Sequence, residues 1–329
     1  MNISAMQEAT RDAVKAKFGR KKYLASRTQV RYPQNLEREY IRVTNAYMKL
    51  LNVTLAEYAP EIKAILTKSQ DGFSIDSVGG MNADAGQNYS RMIQRVLDRA
   101  EIDLQKKTAD FDLIRKLNDL ENRARKHSVS EWKRVVRQTL GIDIFSDYYK
   151  GAYFRANAGK WVQQNVNLIK KMPADTLGNM RQIILRGYTS GATNKTITEQ
   201  VMNLNPRDFG FKPEMTLEAY NDAMGEYLKA KRHAQFIARD QMAKLNADIT
   251  QQQQTDAGVS EYVWRTVGDG RVRDSHKHLN NKRFRYDDPP VVDDETGRRA
   301  NPGEDYQCRC VALPVFDIDT VVLPWEKSE

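Results

Sequence analysis

Apolar residues recur at spacings of three and four along most of the chain up to about residue 252. In NLEREYIRVTNAYMKLLNVTLAEYAPEIKAIL, Leu36, Tyr40, Val43, Tyr47, Leu50, Leu51 and Leu55 fall on one helical face, and Pro60 is expected to interrupt that helix. A Gly- and Asn-containing run, DSVGGMNADAGQN, reads as a loop before a long charged stretch at 89–140. There Leu97, Leu104, Phe111, Ile114, Leu117 and Leu120 lie near heptad spacing, while Lys107 and Glu121 break strict a/d order. This predicts a long helix or helical hairpin packed on protein, not an autonomous coiled coil. After GIDIFS, residues 146–173 are again amphipathic through Trp161, Val162, Val166, Leu168 and Ile169, with Pro173 expected to close the segment. Two helices joined at GYTSG follow, then a loop bracketed by Pro206 and Pro213. A last helix is predicted over about 216–252. Its stripe of Ala230, Ala234, Ala238, Met242, Leu245 and Ile249 requires a close-packed neighbour.

At Gly258 the pattern changes. YVWRTV, RFRY, CRCVALPVF and DTVVLPW are short β-branched or aromatic runs divided by Gly, Pro and Asp clusters, which predicts strands and turns. The expected fold is α+β: a predominantly α-helical body with long helices, followed by a small β-rich C-terminal domain. Four segments are expected, a basic N-terminal arm at 1–34, a long-helix region at 35–145, a helical region at 146–256 and the β-rich domain at 257–329.

Composition adds limits. The 329 residues are 40% hydrophobic and 29% charged, near the globular average, and the mean hydropathy of −0.70 leans towards extended helices with much solvated surface. No run of about 18 apolar residues is present to span a bilayer, and the N-terminus lacks the apolar core of a signal peptide. Two cysteines alone do not form a secreted disulfide framework. The net charge of +9 is uneven: residues 261–329 hold 11 Lys/Arg and 14 Asp/Glu, a balance of −3, and residues 1–260 hold 41 and 29, a balance of +12. Arg11, Lys15, Lys17, Arg20, Lys21 and Lys22 cluster in the first segment, as a surface for phosphates or an acidic partner or as a solvated arm.

The candidate chemistry lies in YVWRTVGDGRVRDSHKHLNNKRF and NPGEDYQCRC, which hold two of the four histidines and both cysteines. On extended backbone, residues i and i+2 face one side, so His276, Cys308 and Cys310, with His278 as a candidate fourth ligand, could form a structural zinc shell. Against this, zinc pairs are usually spaced C-x2-4-C, and C-x-C on a regular strand holds the sulfurs apart. The competing reading makes the cysteines small buried apolar residues, with His276 hydrogen-bonded beneath Trp264. Asp287, Asp288, Asp293 and Asp294 could hold a hard cation for a nuclease, although their Pro- and Gly-rich setting reads as turn chemistry. Asp269-Gly270 reads as a tight turn between two strands, with Arg271 and Arg273 in a polar network pinning it to the NPGED loop.

Trp264-Arg265-Thr266, Asp269, Arg271-Val272-Arg273, Ser275-His276, Leu279, Phe284, Pro302-Gly303, Cys308-Arg309-Cys310 and Pro314, taken in order, resemble the signature of the phage Mu F-like minor head proteins. AQFIARDQMAKLN, WVQQNVNLIKKMP and LRGYTSGATNKTI are similar to helices preceding it, so the resemblance covers about 150–316. His278 and Asn281 depart from the pattern. The resemblance implies a structural, non-enzymatic minor capsid protein of a tailed bacteriophage. Its implied partners are the portal protein, the major capsid or scaffolding protein and packaged DNA. It implies action in head assembly and DNA packaging or ejection, in the host cytoplasm and then inside the virion head. It also carries His276 and the cysteine pair over as a shared site. Two alternatives stay open: a metal-dependent nuclease, hydrolase or toxin-delivery module centred on His276, and a nucleic-acid-binding protein.

Overall fold

The computed structural model describes residues 3–71, 83–189 and 217–324. The loops read at 76–82, at 190–191 and between Pro206 and Pro213 lie outside them. Seven helices are described: α1 (Ile3–Phe18), α2 (Gln34–Asp71), α3 (Ala83–Asp110), α4 (Leu113–Leu140), α5 (Ala152–Thr189), α6 (Leu217–Asp256) and the short α7 (Asp274–Leu279). A 3-10 turn spans Ser146–Lys150. The strands are β1 (Tyr23–Ala25), β2 (Glu261–Arg265), β3 (Arg283–Arg285), β4 (Val291–Asp293), β5 (Arg298–Arg299) and β6 (Val311–Asp317). The architecture is α+β, with long helices and a small antiparallel sheet.

The prolines do not end their helices. α2 runs through Pro60 to Asp71, and α5 through Pro173 to Thr189. An interior proline loses one backbone hydrogen bond and costs about 3 kcal/mol. Beyond Pro60, Ile62 and Ile65 continue the buried stripe of Leu51 and Leu55. Each such side chain contributes about 1.5–3 kcal/mol, enough to carry the helix past the break. The charged stretch at 89–140 is two helices, broken at Phe111-Asp112, where Asp112 takes φ +52° and its carboxylate accepts from the Arg115 backbone N–H at 3.3 Å. Residues 83–88, read as loop, are the first turns of α3.

The chain divides into two compact units. In the unit formed by 41–116 and 164–235, Leu51, Leu55, Ile62, Ile93, Val96 and Leu97 are buried and Tyr47 packs edge-on to Phe111 with ring centroids 5.4 Å apart. Lys107 there pairs with Glu57, so it interrupts the apolar order without being left unpaired.

The other unit comprises 1–40, 117–163 and 236–329. Its sheet has the order β1-β6-β2-β3, antiparallel throughout, with Tyr23 opposite Asp317 and Trp264 opposite Ala312. β4 and β5 form a separate two-stranded ladder. The main core joins Val14 of α1, Trp132, Val135, Val136 and Leu140 of α4, Tyr149, Phe154 of α5, Val259, and Phe316, Ile318, Val321 and Leu323 of the C-terminal end. Trp132 stacks on Phe316 at 5.9 Å and donates to the Tyr149 hydroxyl at 2.8 Å. Glu121, the acidic residue that spoils the heptad, is buried in α4 beside Arg125 at 2.5 Å.

The basic N-terminal segment is therefore folded and not a free arm. Thr10 and Val14, four residues apart on α1, are fully buried, and the Thr10 hydroxyl donates to the Leu323 carbonyl at 2.6 Å. β1 completes the sheet. Residues 319–324 of DTVVLPW are irregular, although Val321 and Leu323 are buried and the Val322 N–H donates to the Ala257 carbonyl at 3.0 Å.

Candidate metal centre

β2 alternates, with Tyr262 and Trp264 turned inward and fully buried. After it the chain turns at Asp269, where the Val272 N–H donates to the Asp269 carbonyl at 3.2 Å, and enters α7. The stretch read as extended is thus helical from Asp274. A helix advances about 100° per residue, so side chains two apart diverge by roughly 200°. His276 points inward with 2% exposure, and His278 is exposed and outside the cluster. The fourth-ligand assignment of His278 fails for that reason.

Cys308 and Cys310 precede β6 and are not on regular strand. A turn closed by the Cys308 N–H on the Asp305 carbonyl at 3.0 Å, with Gln307 at φ +53°, folds the pair back. Asp240 of α6 holds that turn, accepting from the Gln307 N–H at 2.9 Å. Gly303 at φ +92° passes so close to α6 that a Cβ there would sit 2.6 Å from the Ala247 Cβ. The result brings the sulfurs together: each Sγ lies 3.6 Å from His276 Nδ1, and the three donor atoms lie within 4.8 Å of one another. Cys308 and Cys310 are 3% and 6% exposed. This irregular backbone removes the strand-geometry objection to C-x-C.

Asp305 fixes the imidazole. Its Oδ2 lies 3.0 Å from His276 Nε2, so the ionised carboxylate places the ring proton on Nε2 and leaves the Nδ1 lone pair facing the sulfurs. Asp305 is itself buried and receives hydrogen bonds from Arg273 Nη1 at 2.9 Å, from Arg298, and from the Tyr306 N–H at 2.7 Å. Burial alone would raise its carboxyl, but the Arg298 hydrogen bond and the other partners hold it below the usual carboxylate range. The Cys310 thiol donates to Cys308 and, with the nearby imidazole, lowers the Cys308 thiol; the same contact and burial push Cys310 up. Against its own burial, His276 is raised chiefly by Cys308. Trp264 lies edge-on to His276 at 5.4 Å, and its buried Nε1–H has no hydrogen-bond partner.

The expected Asp269 network divides in two. Arg273 reaches Asp305 and, at 2.6 Å, the Tyr306 carbonyl, which pins α7 to the NPGED loop. Asp269 is held by Arg309, the middle residue of C-R-C, at 2.7 and 2.8 Å, and by Arg271 at 3.1 Å. The loop carboxylates do not gather: Asp287 pairs with Arg285, Asp288 with Arg299, and Asp293 with Arg298 and the 295 and 296 backbone N–H groups, while Asp294 is exposed. Of the basic front, Arg11 pairs with Glu8, Lys15 with Asp319, and Lys17 reaches the Leu140 carbonyl at the end of α4 at 3.3 Å. Arg20, Lys21 and Lys22 are exposed. Asp305, Arg298 and Asp240 were not singled out in the sequence. The NPGED loop named as Arg273's target was the one signal towards Asp305.

An α+β unit closed around a buried His-Cys-Cys cluster is the class of protein this defines. Residues 178–313, which include Trp264, His276 and both cysteines, match the family described as Phage Mu protein F like protein. A 294-residue stretch, 89% of the chain, is 25% identical to an uncharacterized protein of Haemophilus influenzae. It covers 54% of that protein, so the chain spans about half the length of the curated relative it matches. No solved structure matches significantly. Among the described residues no helix is long and apolar enough to cross a membrane.

Proposed function

We propose that the chain is a structural protein of a tailed-phage head, acting in head assembly with capsid-related partners, among them the portal protein and the major capsid or scaffolding protein. The observation that carries this reading is the family match over 178–313, which spans the whole R-x-x-H and C-R-C constellation. The internal roles of that constellation support it. His276 is 2% exposed with one nitrogen on Asp305 and the other facing two sulfurs, and Arg273 and Arg309 tie separate chain segments together. A buried imidazole so engaged is suited to holding a domain closed, whereas a general base must reach its substrate proton.

Contact with packaged DNA or an acidic partner is supported by two clefts. One, of about 320 Å3, is lined by Arg38, Arg239, Arg271 and Arg309. The other, of about 510 Å3, is lined by Lys126, Lys133, Lys150 and Arg155. Each cleft also holds a carboxylate, Glu37 on Arg239 and Asp147 on Lys150, and Arg271 and Arg309 are engaged by Asp269. It is the excess of cations over these carboxylates that attracts phosphates and acidic groups. Mass spectrometry of purified procapsids and virions, with localised cryo-EM reconstruction at the portal vertex, tests the proposal. The protein is expected in both particles at low copy number beside the portal; absence from both overturns the reading, and stoichiometry equal to the major coat protein overturns the minor-component role.

A further inference from the structure

We propose that the chain binds one zinc ion through His276 Nδ1, Cys308 Sγ and Cys310 Sγ, as a structural centre that fastens α7 to the chain entering β6. The proposal stands independently of the phage-head reading, because it rests on the spacing and environment of three donor atoms.

The spacing fits the ion. Zinc at about 2.3 Å from sulfur and 2.0–2.1 Å from nitrogen, at tetrahedral angles, requires an S···N separation of about 3.6 Å. Both sulfurs lie 3.6 Å from Nδ1. These distances suit the edges of a coordination tetrahedron, and a neutral S–H···N hydrogen bond has no need to converge two sulfurs on one nitrogen.

The environment fits too. Metal-ligating histidines donate their second N–H to a carboxylate or carbonyl, which sets the tautomer and raises ligand basicity. His276 does this through Asp305, whose own charge is met by Arg273 and Arg298. Zn2+ with two thiolates and a neutral imidazole carries no net charge, the form a buried site tolerates best. Binding releases the two thiol protons to solvent. Trp264, whose buried Nε1–H has no hydrogen-bond partner, packs in the same buried cluster as both cysteines. Among the described residues no fourth side chain joins the group. A cavity of about 30 Å3 borders Cys308 and Cys310, though not His276, and has room for one water beside the cysteines.

The experiment uses the full reduced chain, stripped of metal with a chelator and titrated with Co2+, then with Zn2+. Saturation at one equivalent is expected, with near-ultraviolet thiolate-to-cobalt absorption and the intense visible bands of tetrahedral cobalt, both bleached by zinc. Asp305→Asn keeps all three ligands and is expected to weaken metal affinity 10–100-fold. The double variant Cys308→Ser, Cys310→Ser is expected to lose the bands and the zinc. The proposal is overturned if the folded wild-type chain shows no thiolate band or takes up less than a stoichiometric amount. It is equally overturned if the double variant retains its zinc. Should the double variant not fold, the wild-type titration decides alone.

Discussion

Asp305 is where a single side chain does most in this protein: it orients His276 and gathers Arg273, Arg298 and the Tyr306 N–H, while buried itself. Replacing it by alanine leaves two guanidinium groups and an imidazole facing an empty position. Arg273 and Arg298 are partly exposed and can turn to solvent, so the loss is of hydrogen bonds to a charged group, about 1.5–3 kcal/mol. Chemical denaturation of the metal-free chain is expected to show that loss for Asp305→Ala, and a change under about 1 kcal/mol would show that solvent replaces the carboxylate. Gly303 carries a second prediction. Its φ of +92° and the 2.6 Å approach to Ala247 leave no room for a Cβ, so Gly303→Ala is expected to cost roughly 1–3 kcal/mol, read as a drop in Tm. The identities of His276, Cys308 and Cys310 were legible in the sequence because their chemistry is written in their type. The reading of His278 as a ligand fails because two histidines at i and i+2 share a face only on extended backbone. Asp240 and Arg298 were invisible: Asp240 meets Gln307 across 67 positions, and the loop offers many equivalent acids and bases.

Among the elements, α4 and the end of the chain share the core through Trp132 stacked on Phe316. Trp132→Ala removes a fully buried side chain and leaves the Tyr149 hydroxyl without its indole donor. A loss of about 3–5 kcal/mol is expected. Retained cooperativity with a loss under 1 kcal/mol would mean the site collapses. The 3-10 turn is tied to α6 by the Tyr148 hydroxyl, which donates to Asp256 at 3.1 Å, and burial together with that carboxylate pushes the phenol up to about 12. A raised folded value means this contribution is fully present below the unfolded value near 10 and is lost as pH rises towards 12. Wild type and Tyr148→Phe are therefore expected to differ by a constant amount up to about pH 10, with the difference shrinking above it. Parallel stability curves from pH 9 to 12 would refute the coupling. The helices were legible in outline because their apolar period persists over many turns, and the outline failed at Pro60 and Pro173, where local cost is outweighed by burial along the rest of the face. β1 was not legible: Tyr23–Ala25 is three residues beside a cluster of cations, and only its partner β6, almost 300 positions away, makes it a strand.

Charge is divided unevenly along the chain. Residues 1–260 carry a balance of +12 and residues 261–329 one of −3. Lys17 reaches the end of α4 and Lys15 pairs with Asp319, so those two cations serve the fold, whereas Arg20, Lys21 and Lys22 stand exposed between α1 and β1. If this front meets a nucleic-acid backbone, binding must release counterions, and the logarithm of affinity falls linearly with the logarithm of salt at about 0.9 per phosphate neutralised. Fluorescence anisotropy with a short DNA duplex of arbitrary sequence, across a salt series, measures that slope directly. The triple variant Arg20→Glu, Lys21→Glu, Lys22→Glu is expected to reduce the slope by about 2.7, three contacts' worth, with little change between duplex sequences. It leaves Lys15 and Lys17 in place, but Lys22 lies 5.2 Å over the Tyr23 ring and beside Asp317 and Asp319, so the Tm of the variant is measured alongside to separate a lost contact from a damaged fold. An unchanged slope in a folded variant would move any DNA contact to the arginine- and lysine-lined clefts. An absence of binding even at low salt would direct the same cations to an acidic protein surface in the head.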